Sequence, residues 1–257
     1  MYVSTAVMIF AVAPALVLLH GFTHTGRSWD GVVAALGERY RPIVPDIRGH
    51  GSAGDAVPVT LRSVIEDVER LEPGAFTLAG YSMGGRIALH FALAWPERVE
   101  RLILIGASPG IAEAAEREAR RRADERLADE IDGQTVEQFA ERWARTPVLA
   151  GQAPEVAARA HIDRLRNKTR GLAAALRGLG TGALPPVWDR LGELPMPVIL
   201  VVGQRDQKFL AIAEQMAAAI HDVRIEVVPN AGHAVHLEAP ASVAEALGGA
   251  GARADTR

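Results

Sequence analysis

Cysteine is absent from all 257 residues, which excludes a disulfide framework, a thiolate nucleophile and any cysteine metal site, and is compatible with a reducing compartment. A net charge of -3 gives the chain no general attraction to nucleic acid or to an anionic membrane. Any use of positive charge must be local. No apolar run is long enough for a convincing membrane span. The first 20 residues are apolar but have no Lys or Arg ahead of the apolar stretch, which continues through Pro14 into LVLLH, a segment needed as a core strand. A cytoplasmic protein without membrane insertion is therefore expected. The eight histidines fall into no metal-ligand spacing, and no Walker or dinucleotide-binding glycine pattern occurs. No metal and no cofactor is expected. Nothing in the sequence specifies an oligomeric state.

What is present is an apolar fraction of 49% with both charge signs spread along the chain, as in a folded protein with a sizeable core. LVLLHGF at 16–22, PIVPD at 42–46, FTLAG at 76–80, RLILIG at 101–106, PVILVVG at 197–203 and the start of RIEVVPNAGH are short apolar runs that end in loop residues. Between them, RSVIEDVERL, SMGGRIALHFALAW, AIAEQMAAAI and ASVAEAL have helical spacing or composition. This alternation predicts an α/β fold with a mainly parallel sheet covered on both faces. From 109 to 190 the patterns are helical and charged with no convincing strand, so one core (1–108 and 191–257) is expected to carry a helical cap (109–190).

Gly80-Tyr81-Ser82-Met83-Gly84 matches G-x-S-x-G between a predicted strand and a predicted helix. Small residues two positions either side allow a sharp, strained turn that exposes the serine hydroxyl. Asp206 follows the strand at 197–203, and His233 follows the last strand. The order Ser, Asp, His at three strand ends is that of the α/β-hydrolase fold. In such a triad the histidine exchanges the serine proton while the carboxylate fixes its tautomer. His236 is the alternative base. The N–H of Met83 is the expected first oxyanion donor, and the second is expected near Phe22, after His20-Gly21.

The cap run EREARRRADERLADE at 116–130 has a bland reading as a solvated helix, with Glu116 facing Arg120 and Glu118 facing Arg122 at i,i+4 spacing. Its functional reading turns one or two arginines inward to clamp carboxylates. RLRNKTRG at 164–171 and Arg86, one turn beyond Ser82, supply further guanidinium groups. Trp143 suits either the cavity or the cap core. Asp46, Arg48, His50 and Ser52 read as a structured loop near the cleft.

Taken together, LLHGFTHTGRSW, DIRGHGSAG, GYSMGGR, EARRRADERLA, RWARTPV, RLRN with GLGTG, GQRDQKF and AGHAVHLEAP resemble the MenH family, the 2-succinyl-6-hydroxy-2,4-cyclohexadiene-1-carboxylate synthases, over residues 14–250. The resemblance implies an α/β-hydrolase fold with a helical cap and a lyase that eliminates pyruvate from a small polycarboxylate. It implies the triad Ser82, Asp206 and His233, oxyanion donors at Phe22 and Met83, and ligand contacts from Tyr81, Arg86, Arg120, Trp143 and Arg166. The last of these could align instead with Arg164 or Arg170. A carboxylesterase or C–C hydrolase, and a noncatalytic binding protein of the same fold, are the other readings.

Overall fold

A computed structural model describes residues 13–149 and 151–249. Six strands form one sheet: β1 (Ala15–Leu19), β2 (Arg41–Ile43), β3 (Phe76–Tyr81), β4 (Val99–Ile105), β5 (Val198–Gly203) and β6 (Val223–Val228). Their order is β2-β1-β3-β4-β5-β6, and all five pairings are parallel. The expected mainly parallel sheet is thus wholly parallel among the described residues.

Strand alternation divides the core. Val17 and Leu19 of β1, Leu102 and Leu104 of β4, and Leu200 and Val202 of β5 face one side, with Val64, Ile87 and Met216 from helices α2 (Leu61–Arg70), α3 (Met83–Ala94) and α8 (Gln207–Ala217). Leu16, Leu18, Ile103 and Val201 face the other, against Val32 and Val243 of α1 (Asp30–Leu36) and α10 (Pro240–Gly248). Apolar side chains on both faces explain why the central strands read as continuous apolar runs. The chain between β4 and β5 carries α4 (Ala114–Asp132), α5 (Val136–Trp143), α6 (Pro154–Arg164) and α7 (Thr169–Leu179). Ala128, Phe139, Leu172 and Leu176 give α4, α5 and α7 a small core of their own.

Polar contacts fasten that helical layer to the loops at the C-terminal ends of β1 and β2. Asp163 accepts from the Thr25 N–H at 2.9 Å and from the Thr25 hydroxyl, and meets His24 Nδ1 at 3.1 Å. Asn167 donates to the Thr23 carbonyl at 2.8 Å and accepts from the Gly51 N–H at 3.0 Å. The RLRN segment therefore carries the fastening between this helical layer and the sheet's loops as well as its arginines. Asp46 braces the β2 loop by accepting from the N–H of Gly26 and of Ser52, each at 2.7 Å.

Several histidines are held neutral by burial. His20 accepts the Ile47 N–H on Nε2 at 2.9 Å and is pushed down to about 4, while His50 is pushed down to about 3 and His90 to about 4. In the unfolded chain these groups return to a value near 6.5. The unfolded state consequently binds more protons below that value, so stability is complete above it and is lost as pH falls towards 4. His24 and His236 are lowered by burial in the same way, so the pH dependence of urea unfolding between pH 6 and 5 is expected to report an uptake of roughly four protons on unfolding. An uptake of less than one proton contradicts this assignment.

Candidate active site

Ser82 stands between β3 and α3 with φ 51° and ψ −107°, a left-handed conformation for a residue with a side chain. The strain is tolerated because the turn is anchored, the Ser82 N–H donating to the Ile105 carbonyl at 2.9 Å, and because Gly80 and Gly84, two positions either side, lack side chains. A Cβ on Gly80 would lie 2.4 Å from the Gly84 carbonyl oxygen, and one on Gly84 would lie 2.2 Å from that of Leu19. The G-x-S-x-G spacing is thus a steric requirement of this crossing.

The turn brings Ser82 Oγ within 3.2 Å of His233 Nε2, and His233 Nδ1 lies 2.6 Å from Asp206 Oδ2. With Nδ1–H donating to the carboxylate, Nε2 is left to accept the serine proton. Asp206 also caps α8, accepting from the Phe209 N–H at 3.4 Å, so one residue orients the histidine and starts a helix. His236 does not reach Ser82. It is buried against Tyr81 and Trp29, at centroid distances of 4.1 Å and 4.9 Å, with neither ring nitrogen partnered.

Ser82 and His233 open on a cavity of about 260 Å³ whose wall includes Phe22, Met83, Arg86, Arg120 and Trp143. It adjoins an outer lobe of about 530 Å³, with Arg86, Arg120, Thr181, Lys208 and Phe209 common to both. Phe22 stacks edge-on with Trp143 at 5.2 Å. Among the described residues no acceptor takes the N–H of Phe22 or of Met83, leaving both free to donate to a negative oxygen.

The arginines have different surroundings. Arg86 is pushed down to about 10 by burial and by Arg120 beside it, and its Nε has no partner. Arg120 pairs with Asp124 at 2.7 Å, so the expected Glu116 partnership is replaced by one a turn further along. The Glu118–Arg122 pair does form, at 3.2 Å. Arg166 is absent from the wall of the Ser82 cavity and opens instead, half-exposed, on a separate cleft with Arg27 and Arg159. Arg164, the last residue of α6, is buried, whereas Arg166, two residues past the helix end, is half-exposed. Arg164 is 1% exposed and its Nε and Nη2 are unpartnered.

Tyr81 likewise does not line the cavity wall expected of it. As the last residue of β3 it points behind Ser82, packing on His233 at 5.3 Å and His236 at 4.1 Å, and burial pushes its phenol up. Asp124, Lys208, Phe209 and Thr181 also line the cavity, the last three within the GQRDQKF and GLGTG motifs but given no site role by them. The i,i+4 spacing of Arg120 and Asp124 was the one available signal for Asp124.

The Gly84→Ala substitution is expected to destabilise the fold by about 3 kcal/mol or more, since the colliding atom is backbone. A thermal unfolding midpoint equal to that of the unsubstituted chain overturns the steric account of the turn.

A model of the α/β hydrolase family matches residues 16–246. A Bacillus subtilis (strain 168) protein, provisionally named 2-succinyl-6-hydroxy-2,4-cyclohexadiene-1-carboxylate synthase, is 39% identical over 88% of this chain and 86% of its own length. The synthase of that name from Salmonella agona (strain SL483) is 33% identical over 91% of this chain and 92% of its own. The solved structure of MenH from S. aureus superposes with a TM-score of 0.87 at 29% identity, covering 93% of each chain. With its parallel sheet, its serine turn and this degree of likeness, the chain belongs to the α/β hydrolase family and, within it, to the 2-succinyl-6-hydroxy-2,4-cyclohexadiene-1-carboxylate synthases.

Proposed function

We propose that the protein is a cofactor-independent carbon–oxygen lyase of menaquinone biosynthesis, eliminating pyruvate from 2-succinyl-5-enolpyruvyl-6-hydroxy-3-cyclohexene-1-carboxylate to give 2-succinyl-6-hydroxy-2,4-cyclohexadiene-1-carboxylate. The observation that carries this reading beyond the family likeness is the meeting, on one cavity wall, of the Ser82–His233 pair with the under-bonded Arg86 and with Arg120. Ester hydrolysis of a neutral substrate has no use for two guanidinium groups beside the nucleophile. A substrate bearing several carboxylates does.

In this mechanism His233, oriented by Asp206, draws the proton from Ser82, and the serine oxygen removes a ring C–H proton. The C–H electron pair moves across the ring, a new C=C bond forms, and the ring C–O bond breaks to release enolpyruvate. That enolate takes a proton and tautomerises to pyruvate. The Phe22 and Met83 N–H groups stabilise the negative oxygen that develops. Arg86 and Arg120 bind carboxylates in the cavity, and Trp143 supplies an apolar wall. Arg164 is buried with Nε and Nη2 unpartnered and, like Arg166, is absent from the wall of this cavity, so neither is given a carboxylate contact in this reading.

No acyl-enzyme forms in these steps, so the serine acts as a base. Ser82→Ala is expected to reduce pyruvate release from the enolpyruvyl substrate by at least about a thousandfold. Arg86→Ala is expected to reduce kcat/KM by about tenfold or more. Coupled pyruvate detection, alongside a simple aryl ester as control, measures both. Serine-dependent ester turnover with no pyruvate release by folded protein transfers the assignment to a carboxylesterase.

A further inference from the structure

The pairing of Arg120 with Asp124 is more than a helix-surface ion pair. The two residues are one turn apart on α4, whose other acids are largely solvated, yet Asp124 is 5% exposed. Its Oδ1 takes Arg120 Nε–H at 2.7 Å and its Oδ2 faces the Gly182 N–H at 3.4 Å. The GLGTG segment at 178–182, which ends α7 and leads out of it, closes over it. A Cβ on Gly180 would come 2.7 Å from Asp124 Oδ2, and one on Gly182 would come 2.3 Å from the Arg121 backbone nitrogen. Two glycines therefore let this loop seal the carboxylate against α4.

A guanidinium offers two edges for bidentate contact. Asp124 holds Arg120 through Nε, and among the described residues no acceptor takes either Nη group. The terminal edge, Nη1 with Nη2, is left for a ligand. Both residues border the Ser82 cavity, and Arg120 also borders the outer lobe. A buried carboxylate also offsets the repulsion between Arg86 and Arg120 before a ligand arrives.

We propose that Asp124 is a positioning residue: it fixes Arg120 by its Nε edge so that the Nη edge meets a substrate carboxylate, and the Gly180–Gly182 loop shields the Asp124 carboxylate from water. This rests on reading the cavity as a carboxylate site and adds the residue that orients one of its cations.

The test is a double-mutant cycle of the full chain, using succinate as a dicarboxylate probe in calorimetric titration. The cycle compares wild type, Arg120→Ala, Asp124→Asn and the double variant, with a thermal melt of each. Arg120→Ala is expected to weaken succinate binding about tenfold, Asp124→Asn by a similar factor, and the double variant no further than Arg120→Ala within about twofold. Arg120→Lys, which keeps the charge but has no Nη edge and leaves Asp124 in place, is expected to weaken binding in the same direction and guards against misfolding of the Asn variant. Unchanged binding by folded Asp124→Asn, multiplicative losses in the double variant, or no saturable succinate binding by wild type each overturns the proposal. Pyruvate release by wild type is followed separately: its absence with the binding cycle intact removes the lyase reading and leaves the role of Asp124 standing.

Discussion

Ser82 occupies a backbone conformation that a residue with a side chain rarely adopts, and the arrangement of the site depends on how that strain is accommodated. β3 and α3 meet so closely that Gly80 and Gly84 leave no room for a Cβ, and the Ser82 N–H is tied to β4. The side chain consequently has one direction available, towards the loops that follow β5 and β6, from which Asp206 and His233 reach it. The same turn exposes the first N–H groups of α3. A parallel sheet built from buried strands is stiff enough to hold such a turn, because its C-terminal loops hang from neighbouring strands of one hydrogen-bonded layer.

The helices between β4 and β5 meet α3 around a different problem, which is to hold Arg86 and Arg120 about a small space before any anion is present. Burial alone lowers the affinity of Arg86 for its proton, and a second guanidinium beside it adds repulsion. The structure answers with one buried carboxylate, Asp124, and with a fastening kept away from the reacting groups. That fastening is the contact of Asp163 with Thr25 and His24, together with the bridge from Asn167 to Thr23 and Gly51. That fastening uses one ionised carboxylate, Asp163, that accepts from neutral groups, and the unmatched Nε of Arg86 remains at the cavity wall for a ligand.

The sheet was legible because burial on both faces leaves a simple trace: RLILIG and PVILVVG can hardly be anything but central strands. The serine turn was legible because steric necessity fixes its glycines, and Asp206 and His233 because strand ends fix theirs. The short helix α1 left no such trace, as only Val32 and Leu36 of its seven residues are buried. Side-chain direction in the cap was the least legible feature. Arg164 and Arg166 differ by two positions across a helix end, and local sequence gives no account of which one the core covers. Arg120 had acids at i−4 and i+4, and the choice of Asp124 is made by a loop some sixty residues later in the chain. Tyr81 adjoins the serine in sequence, yet strand geometry turns its ring behind the site.

The central claim is that hydrolase-like geometry here performs an elimination. The most direct test is mass spectrometry of the ring product formed from the enolpyruvyl substrate in water enriched in oxygen-18. Elimination predicts a cyclohexadiene product equal to the substrate less the elements of pyruvic acid, carrying no oxygen from the solvent. A ring product that has gained a solvent-derived hydroxyl contradicts the account and identifies hydrolysis.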